Sequence, residues 1–223
     1  MNKFFANLFL LIIAASCSNA PETETGEIRT LQLLKTAINN SKEPKLFVDA
    51  RNLINREKID AANVPVLFVE LPSGQNGTLT PYPGQGVGQT WLGADGATIT
   101  LERGILKASR GMGDDLMGSS LFMPTWSNIN KNTKTYTREL LYLDGNNKIY
   151  KRLFNCDIKK TNSEELIKIW DINFKVAKFE EQCFNRSLSL KNVYHVDKLG
   201  IIRKSSQYHS DTLGFVKIER LDR

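Results

Sequence analysis

Glu164-Glu165-Leu166-Ile167-Lys168-Ile169-Trp170-Asp171-Ile172-Asn173-Phe174-Lys175-Val176-Ala177-Lys178-Phe179-Glu180-Glu181-Gln182-Cys183-Phe184 is the stretch on which the fold turns. As a helix it has a start signal, because Asn162 and Glu165 stand at capping-box spacing. As strands it has the better pattern. Ile167 and Ile169, then Ile172, Phe174 and Val176, step by two, which lines one face of a pleated strand. The β-branched content also favours extended backbone. The spacing predicts two strands with a turn near Trp170-Asp171.

Both flanks agree with that reading. Upstream, Leu140-Leu141-Tyr142-Leu143, the turn Asp144-Gly145-Asn146-Asn147 and Ile149-Tyr150-Lys151-Arg152-Leu153-Phe154 read as a hairpin. Trp91-Leu92 leads into Ala94-Asp95-Gly96, a hairpin signal, then Thr98-Ile99-Thr100-Leu101 alternates. Arg103-Gly104 turns, and Ile105-Leu106-Lys107-Ala108 returns. The apolar run Val66-Leu67-Phe68-Val69-Glu70-Leu71 ends at Pro72 and Gly74. Downstream, Val193 to Val196, a turn at Lys198-Leu199-Gly200, Ile201 to Lys204 and Phe215 to Ile218 continue the theme. Helical spacing occurs only near the start, over residues 30–38 (Leu31, Leu34, Ile38) and 56–62, stopped before Pro65. Strands at short spacing predict a mostly antiparallel sheet or open barrel with short N-terminal helices.

The chain has 223 residues, 24% charged and 41% hydrophobic, an ordinary balance for a globular body. Its net charge of +6 is scattered with no run of five or six, which argues against a nucleic-acid partner. A mild attraction to acidic partners or anionic glycans remains.

The first residues read as a secretory signal. Lys3 supplies the positive end, and Phe4 to Ala15 is apolar but for Asn7, too short to span a bilayer. Ile13-Ala14-Ala15-Ser16-Cys17 resembles the bacterial lipobox, in which the cysteine is acylated and becomes the mature N-terminus. The expected organisation is a signal peptide over 1–16, a lipidated tether over 17–29, and one β domain over 30–223. Several acyl chains, at about 0.8 kcal/mol per buried CH2, make such an anchor effectively permanent. Ser18 after the cysteine, where aspartate signals inner-membrane retention in many lipoproteins, favours the outer membrane. The alternative is a plain cleaved signal with an incidental cysteine. With Cys17 lipidated, Cys156 and Cys183 remain in an oxidising compartment, where they pair or stay as two free buried thiols. A disulfide would place their Cα atoms about 4.4–6.8 Å apart.

Chemistry-bearing motifs are sparse. Arg110-Gly111-Met112-Gly113-Asp114-Asp115 follows a strand, and its paired acids are candidates for cation binding, acid-base work or contact with a partner or glycan. The structural reading has Asp114 capping a short helix from Asp115. Pro83-Gly84-Gln85-Gly86-Val87-Gly88 matches neither a phosphate loop nor a dinucleotide fingerprint. Trp91, Trp126 and Tyr136 are candidates for sugar stacking, against the commoner fate of core packing. His195 and His209 sit in no nucleophile signature. No catalytic residue, metal ligand set or cofactor is expected.

Four stretches together resemble the YjbF/GfcB lipoproteins, associated with exopolysaccharide and group 4 capsule production. They are Val64-Pro65-Val66-Leu67; Trp91 with Asp95-Gly96, Gly104-Ile105-Leu106 and Arg110 through Leu116; Arg152-Leu153-Phe154-Asn155-Cys156 with Glu180-Glu181-Gln182-Cys183; and Asn192 through Asp197 with Gly200 and Lys204 through Tyr208. Family members tend to carry Trp where this chain has His195 and Tyr208. The resemblance implies bent sheets in an open barrel-like body, lipid-anchored at the outer membrane. It implies work beside an outer-membrane β-barrel of a polysaccharide export system, with no catalytic residues to carry over. A polysaccharide lyase or hydrolase, or a lipid carrier, is the alternative.

Overall fold

The structure, a computed structural model, describes residues 49–84, 88–121, 125–129, 134–143, 146 and 148–223. The signal, Cys17, the tether and the expected helix over 30–38 lie outside the described residues, as do 85–87 of the glycine-rich loop and 144, 145 and 147 of the expected hairpin turn.

Two short helices open the described chain. Helix α1 (Ala50–Leu53) is capped by Asp49, whose carboxylate accepts from the Arg51 N–H. Helix α2 (Arg56–Ala61) is capped the same way by Asn55 and ends just before Asn63 (φ 51°) and Pro65. Strands follow, with one 3-10 turn (Trp126–Asn128) between the sixth and the seventh: β1 (Leu67–Glu70), β2 (Asn76–Pro81), β3 (Gln89–Gly93), β4 (Thr98–Glu102), β5 (Ile105–Arg110), β6 (Leu116–Leu121), β7 (Lys134–Leu143), β8 (Ile149–Ile169), β9 (Ile172–Phe184), β10 (Ser189–Asp197), β11 (Ile202–Ser210) and β12 (Gly214–Arg220).

The sheet order is β5-β4-β3-β2-β1-β12-β11-β10-β9-β8-β7-β6, and its ladders are antiparallel. The chain meanders from β1 out to β5, crosses to β6, and meanders back until β12 lies beside β1. The two edges are therefore consecutive strands joined by a short turn, and the sheet curls until they meet in a nearly closed barrel. Near the turn the seam is tied by Arg110 Nη1 donating to the Leu116 carbonyl (3.1 Å) and by the Leu116 N–H donating to Ser109 Oγ (3.0 Å). Because every pairing is antiparallel, one barrel end gathers the β5–β6, β7–β8, β9–β10 and β11–β12 turns. The helices and the β8–β9 turn gather at the other.

Side chains fill the interior. Leu67, Val69, Trp91, Ile99, Leu116, Leu140, Tyr142, Phe154 and Val216 come from opposite walls into one cluster. Towards the helix end, Ile129 and Trp126 from the β6–β7 connection enter a second, packing against Phe179 and Tyr194. Phe68 points the other way, under the helices, with Ile59, Ile169 and Leu221. Strand β1 is thus buried on both faces, which is why its sequence is a continuous apolar run and not an alternating one.

The deciding stretch forms two strands with its turn at Trp170-Asp171, as the period-two spacing predicts. What the spacing does not reveal is length. Strand β8 runs 21 residues, with bulges between Lys160 and Asn162 and between Asn162 and Glu165. Below Ile158 it leaves β7 and, with β9, forms an arm reaching to the helices. There Trp170 (φ 57°) stands edge-on to Phe68, and the Arg51 guanidinium lies 4.1 Å from the Phe68 ring and 4.9 Å from that of Trp170. Arg56 pairs with Asp171 at 2.9 Å. The helices are held by cation–π and charge contacts to this arm as much as by apolar packing.

Cys156 and Cys183 occupy one rung of β8 and β9 with their sulfurs at bonding distance, 1.97 Å. Their Cα atoms are 4.0 Å apart, closer than expected, because the ladder itself already brings facing residues together.

Candidate functional site

Polar chemistry concentrates in three places, each assembled by strands distant in sequence. The first is inside the barrel. Glu181 on β9 is fully buried, and Arg138 on β7 donates to its Oε2 at 2.8 Å. The same oxygen accepts from Asn192 Nδ2 (2.7 Å) and Tyr194 OH (2.6 Å), while Oε1 accepts from Tyr136 OH at 2.5 Å. Four donors, one of them the counter-charge of Arg138, are what a dry carboxylate requires. Burial, then the Glu181 charge, pushes the Tyr136 and Tyr194 hydroxyls well above their ordinary range, so both remain donors. Burial opposes the Arg138 charge, and Glu181 more than offsets it. Cys183 Sγ lies 3.3 Å from Glu181 Oε1. Cys156, Glu181 and Cys183 do lie within mutual metal-ligand reach. As a donor set they fit an ion poorly: the sulfurs are bonded to each other, and the carboxylate is saturated beside a guanidinium.

The second is the seam turn, where the sequence candidates fall. No helix starts at Asp115 for Asp114 to cap, because the chain runs into β6 at Leu116; Asp115 works differently. Its carboxylate turns back to accept the N–H groups of Gly111 (2.8 Å) and Met112 (3.0 Å) and reaches Ser109 Oγ at 3.2 Å, and the chain then enters β6. Gly111 and Gly113 adopt φ of 78° and 105°, which suits glycine. Arg110 is exposed, but its Nη1 is held by the Ser109 carbonyl (2.5 Å) and the Leu116 carbonyl. Asp114, half-buried, makes no hydrogen bond to the described residues. Trp91 is 4% exposed in the main core cluster, so its indole offers no stacking face in this structure.

The seam also brings Ser109, His209 and Asp115 together, a trio no sequence motif announced. Ser109 Oγ is 2.8 Å from His209 Nε2. In a hydrolytic triad the carboxylate sits on the far imidazole nitrogen and orients it. Here Asp115 contacts the serine itself, and His209 Nδ1 is buried without a partner. Ser109 and His209 are both buried, and Ser109 Oγ is already bound by the Leu116 N–H. The trio fastens the seam and lacks the triad arrangement.

Two predictions follow from this knot. Asp115→Ala removes the acceptor for two backbone N–H groups and loosens the turn, costing about 1–3 kcal/mol, read as a lower thermal midpoint. Burial lowers the proton affinity of His209 below its ordinary value of 6.5, and Asp115 and Asp114 only partly oppose this. On acidification the unfolded chain therefore takes up the proton first. The His209 contribution to stability is whole above about pH 6.5 and drains as pH falls below it, a loss that thermal midpoints between pH 7.5 and 5 will register.

The third centre is the rim at the turn end. Arg152 pairs with Asp211 at 2.5 Å, Tyr208 OH donates to Asp211, and Arg152 lies 6.0 Å from the Tyr150 ring, which stacks on Tyr142. The Arg152 contact holds the Asp211 carboxyl below its usual range. Tyr208 is a core residue of β11 here, and His195 on β10 bonds Glu165 at 3.0 Å.

Two concavities, one lined by Arg138, Phe154 and Tyr208 and the other by Glu102, Ile105 and Ser119, hold about 0 and 10 Å3. Both fall below the roughly 300–1,000 Å3 of small-molecule sites. Among the described residues, then, this is a filled antiparallel barrel that bonds many of its buried polar groups to its own walls, Trp91 Nε1, Ser119 Oγ and His209 Nδ1 being among those left unpartnered. The family model described as group 4 capsule polysaccharide lipoprotein GfcB, YjbF, matches residues 34–221, and the chain belongs to that family. The fold is similar to the crystal structure of the hypothetical lipoprotein YmcC from Escherichia coli (K12), with a TM-score of 0.69 and 18% identity. That likeness covers 78% of this chain and 91% of the other. No curated protein matches the chain.

Proposed function

We propose that this protein is a non-enzymatic accessory factor in exopolysaccharide or capsule secretion, held at the outer membrane by lipid on Cys17 and facing the periplasm. The observation that carries the reading is the family match over residues 34–221. The geometry supports it in two ways. Among the described residues the interior is packed, leaving no room for an acyl chain or a glycan, and the Ser109-His209-Asp115 grouping is wired for structure. Function then falls to the outer surface and turns, which would dock a β-barrel partner of the export system or the emerging polysaccharide. Arg110 and Asp114 are the contact candidates that the turn exposes, with Asp115 holding their loop in shape.

Deleting the gene in a producing strain tests the proposal. Polysaccharide should still be made but be depleted at the cell surface, with wild-type protein restoring it and Cys17→Ser failing to. Unchanged surface polysaccharide after deletion would refute the export role. Purified mature protein should leave the strain's own polysaccharide at its original chain length; shortened chains would establish the enzyme reading instead.

A further inference from the structure

Several exposed apolar side chains stand apart, but one group is contiguous. On the outward face of the β7–β8 hairpin, Leu143 faces Ile149, Leu141 faces Lys151 and Glu139 faces Leu153. Phe184, paired with Asn155, stands diagonal to Leu153. Ile149 is 67% exposed, Leu153 50%, Phe184 45% and Leu143 38%. Tyr150, at the hairpin's end, is 36% exposed. The face is convex, the outside of a barrel wall, and the concavities are lined by other residues or by the inward sides of these strands. A convex apolar face has no groove for a peptide or a sugar.

We infer that this face is a second membrane contact, seated shallowly in a bilayer surface, an inference that rests on the reading of Cys17 as acylated. Three observations carry it. First, aliphatic side chains and a phenylalanine on one face, with cations nearby, are the composition of interfacial membrane binders. At the hairpin end Lys151 pairs with Glu139 and Arg152 with Asp211, Lys148 stands beside them, and Arg186, in the β9–β10 turn, has no ion-pair partner among the described residues. The Lys151 stem can lie on the patch with its head in the headgroups. Second, the chain reaches. Asp49 enters the body at the helix end, and Cys17 lies 32 residues before it, a reach of up to about 90 Å with the expected helix over 30–38 formed. The tip is one β8 length away, roughly 66 Å. Third, an anchor that keeps the body beside a bilayer raises the local concentration at which the patch meets that surface, adding to whatever binding the patch has by itself. With both ends engaged, the barrel lies along the membrane, and the seam turn and rim face sideways.

Flotation separates this from docking to a protein. Unacylated mature chain carrying Cys17→Ser is mixed with vesicles of phosphatidylethanolamine and phosphatidylglycerol, and with vesicles of phosphatidylcholine. It should float with the anionic vesicles and less with the neutral ones. Ile149→Asp with Leu153→Asp should cut the floated fraction about tenfold. Phe184→Ser, on another strand, should give a smaller loss, with thermal unfolding confirming that each variant is folded. No flotation of the unsubstituted chain, or equal flotation of the double variant, overturns the inference. Loss of surface polysaccharide in the double variant with flotation unchanged would assign the face to a protein partner and equally overturn it. Because the assay uses unacylated protein, it fails or succeeds independently of whether Cys17 is lipidated in the cell.

Discussion

Glu181→Ala will destabilise the protein by about 3–5 kcal/mol, the largest effect expected of any single substitution here. The substitution does more than delete hydrogen bonds. It leaves the Arg138 guanidinium, 3% exposed, without its counter-charge in a dry interior, and it orphans donors on Asn192, Tyr194 and Tyr136. Against a total stability of about 5–15 kcal/mol, that is about a fifth of the whole at the least. At about 2–4 °C per kcal/mol for a chain of this size, the thermal midpoint should fall by roughly 10 °C. Removing both charges, as Glu181→Leu with Arg138→Met, should recover part of the loss, since a buried pair costs desolvation that its attraction barely repays. A drop below about 1 kcal/mol for Glu181→Ala would mean that water reaches the pair.

The second large effect concerns Cys156 and Cys183. Replacing both with alanine opens a loop of 27 residues. Chain-entropy arithmetic for that length gives about 3.5 kcal/mol. The denaturant midpoint should shift down accordingly, and the loss should not add simply to that of Glu181→Ala. Cys183 Sγ touches the same carboxylate, and neighbours that share a partner couple. Equal midpoints for the oxidised protein and the double alanine variant would mean that the β8–β9 ladder alone holds this rung.

The strands were legible because their signal is local. Ile167 to Val176 step by two, and the turn at Trp170-Asp171 needs no distant residue to be read. The long arm was harder: its bulges near Asn162 break the alternation, so β8 reads as two pieces. The Glu181 centre was invisible for a different reason. Its donors come from 43 and 11 residues away, at Arg138 and Asn192, and no spacing rule links them. Only a glutamate amid Phe179, Gln182 and Cys183 on a buried strand hinted that it needed partners. The seam turn was legible as unusual, from its two glycines and paired acids. Its mechanics were not, because Asp115 serves backbone N–H groups behind it, and the short run from Leu116 carries too little period to separate a strand from a helix. Ser109 and His209, a hundred residues apart, meet only because β5 and β11 face across the barrel.

Attachment is what the proposed export role turns on: a barrel that is packed throughout its described residues would serve a polymer's export by where it is held. The most direct measurement is intact mass and N-terminal sequencing of the protein taken from outer-membrane fractions. The account predicts a chain beginning at Cys17 and heavier by its acyl groups. A mature protein starting at another residue, or carrying Cys17 as a free thiol in the soluble periplasm, would contradict it.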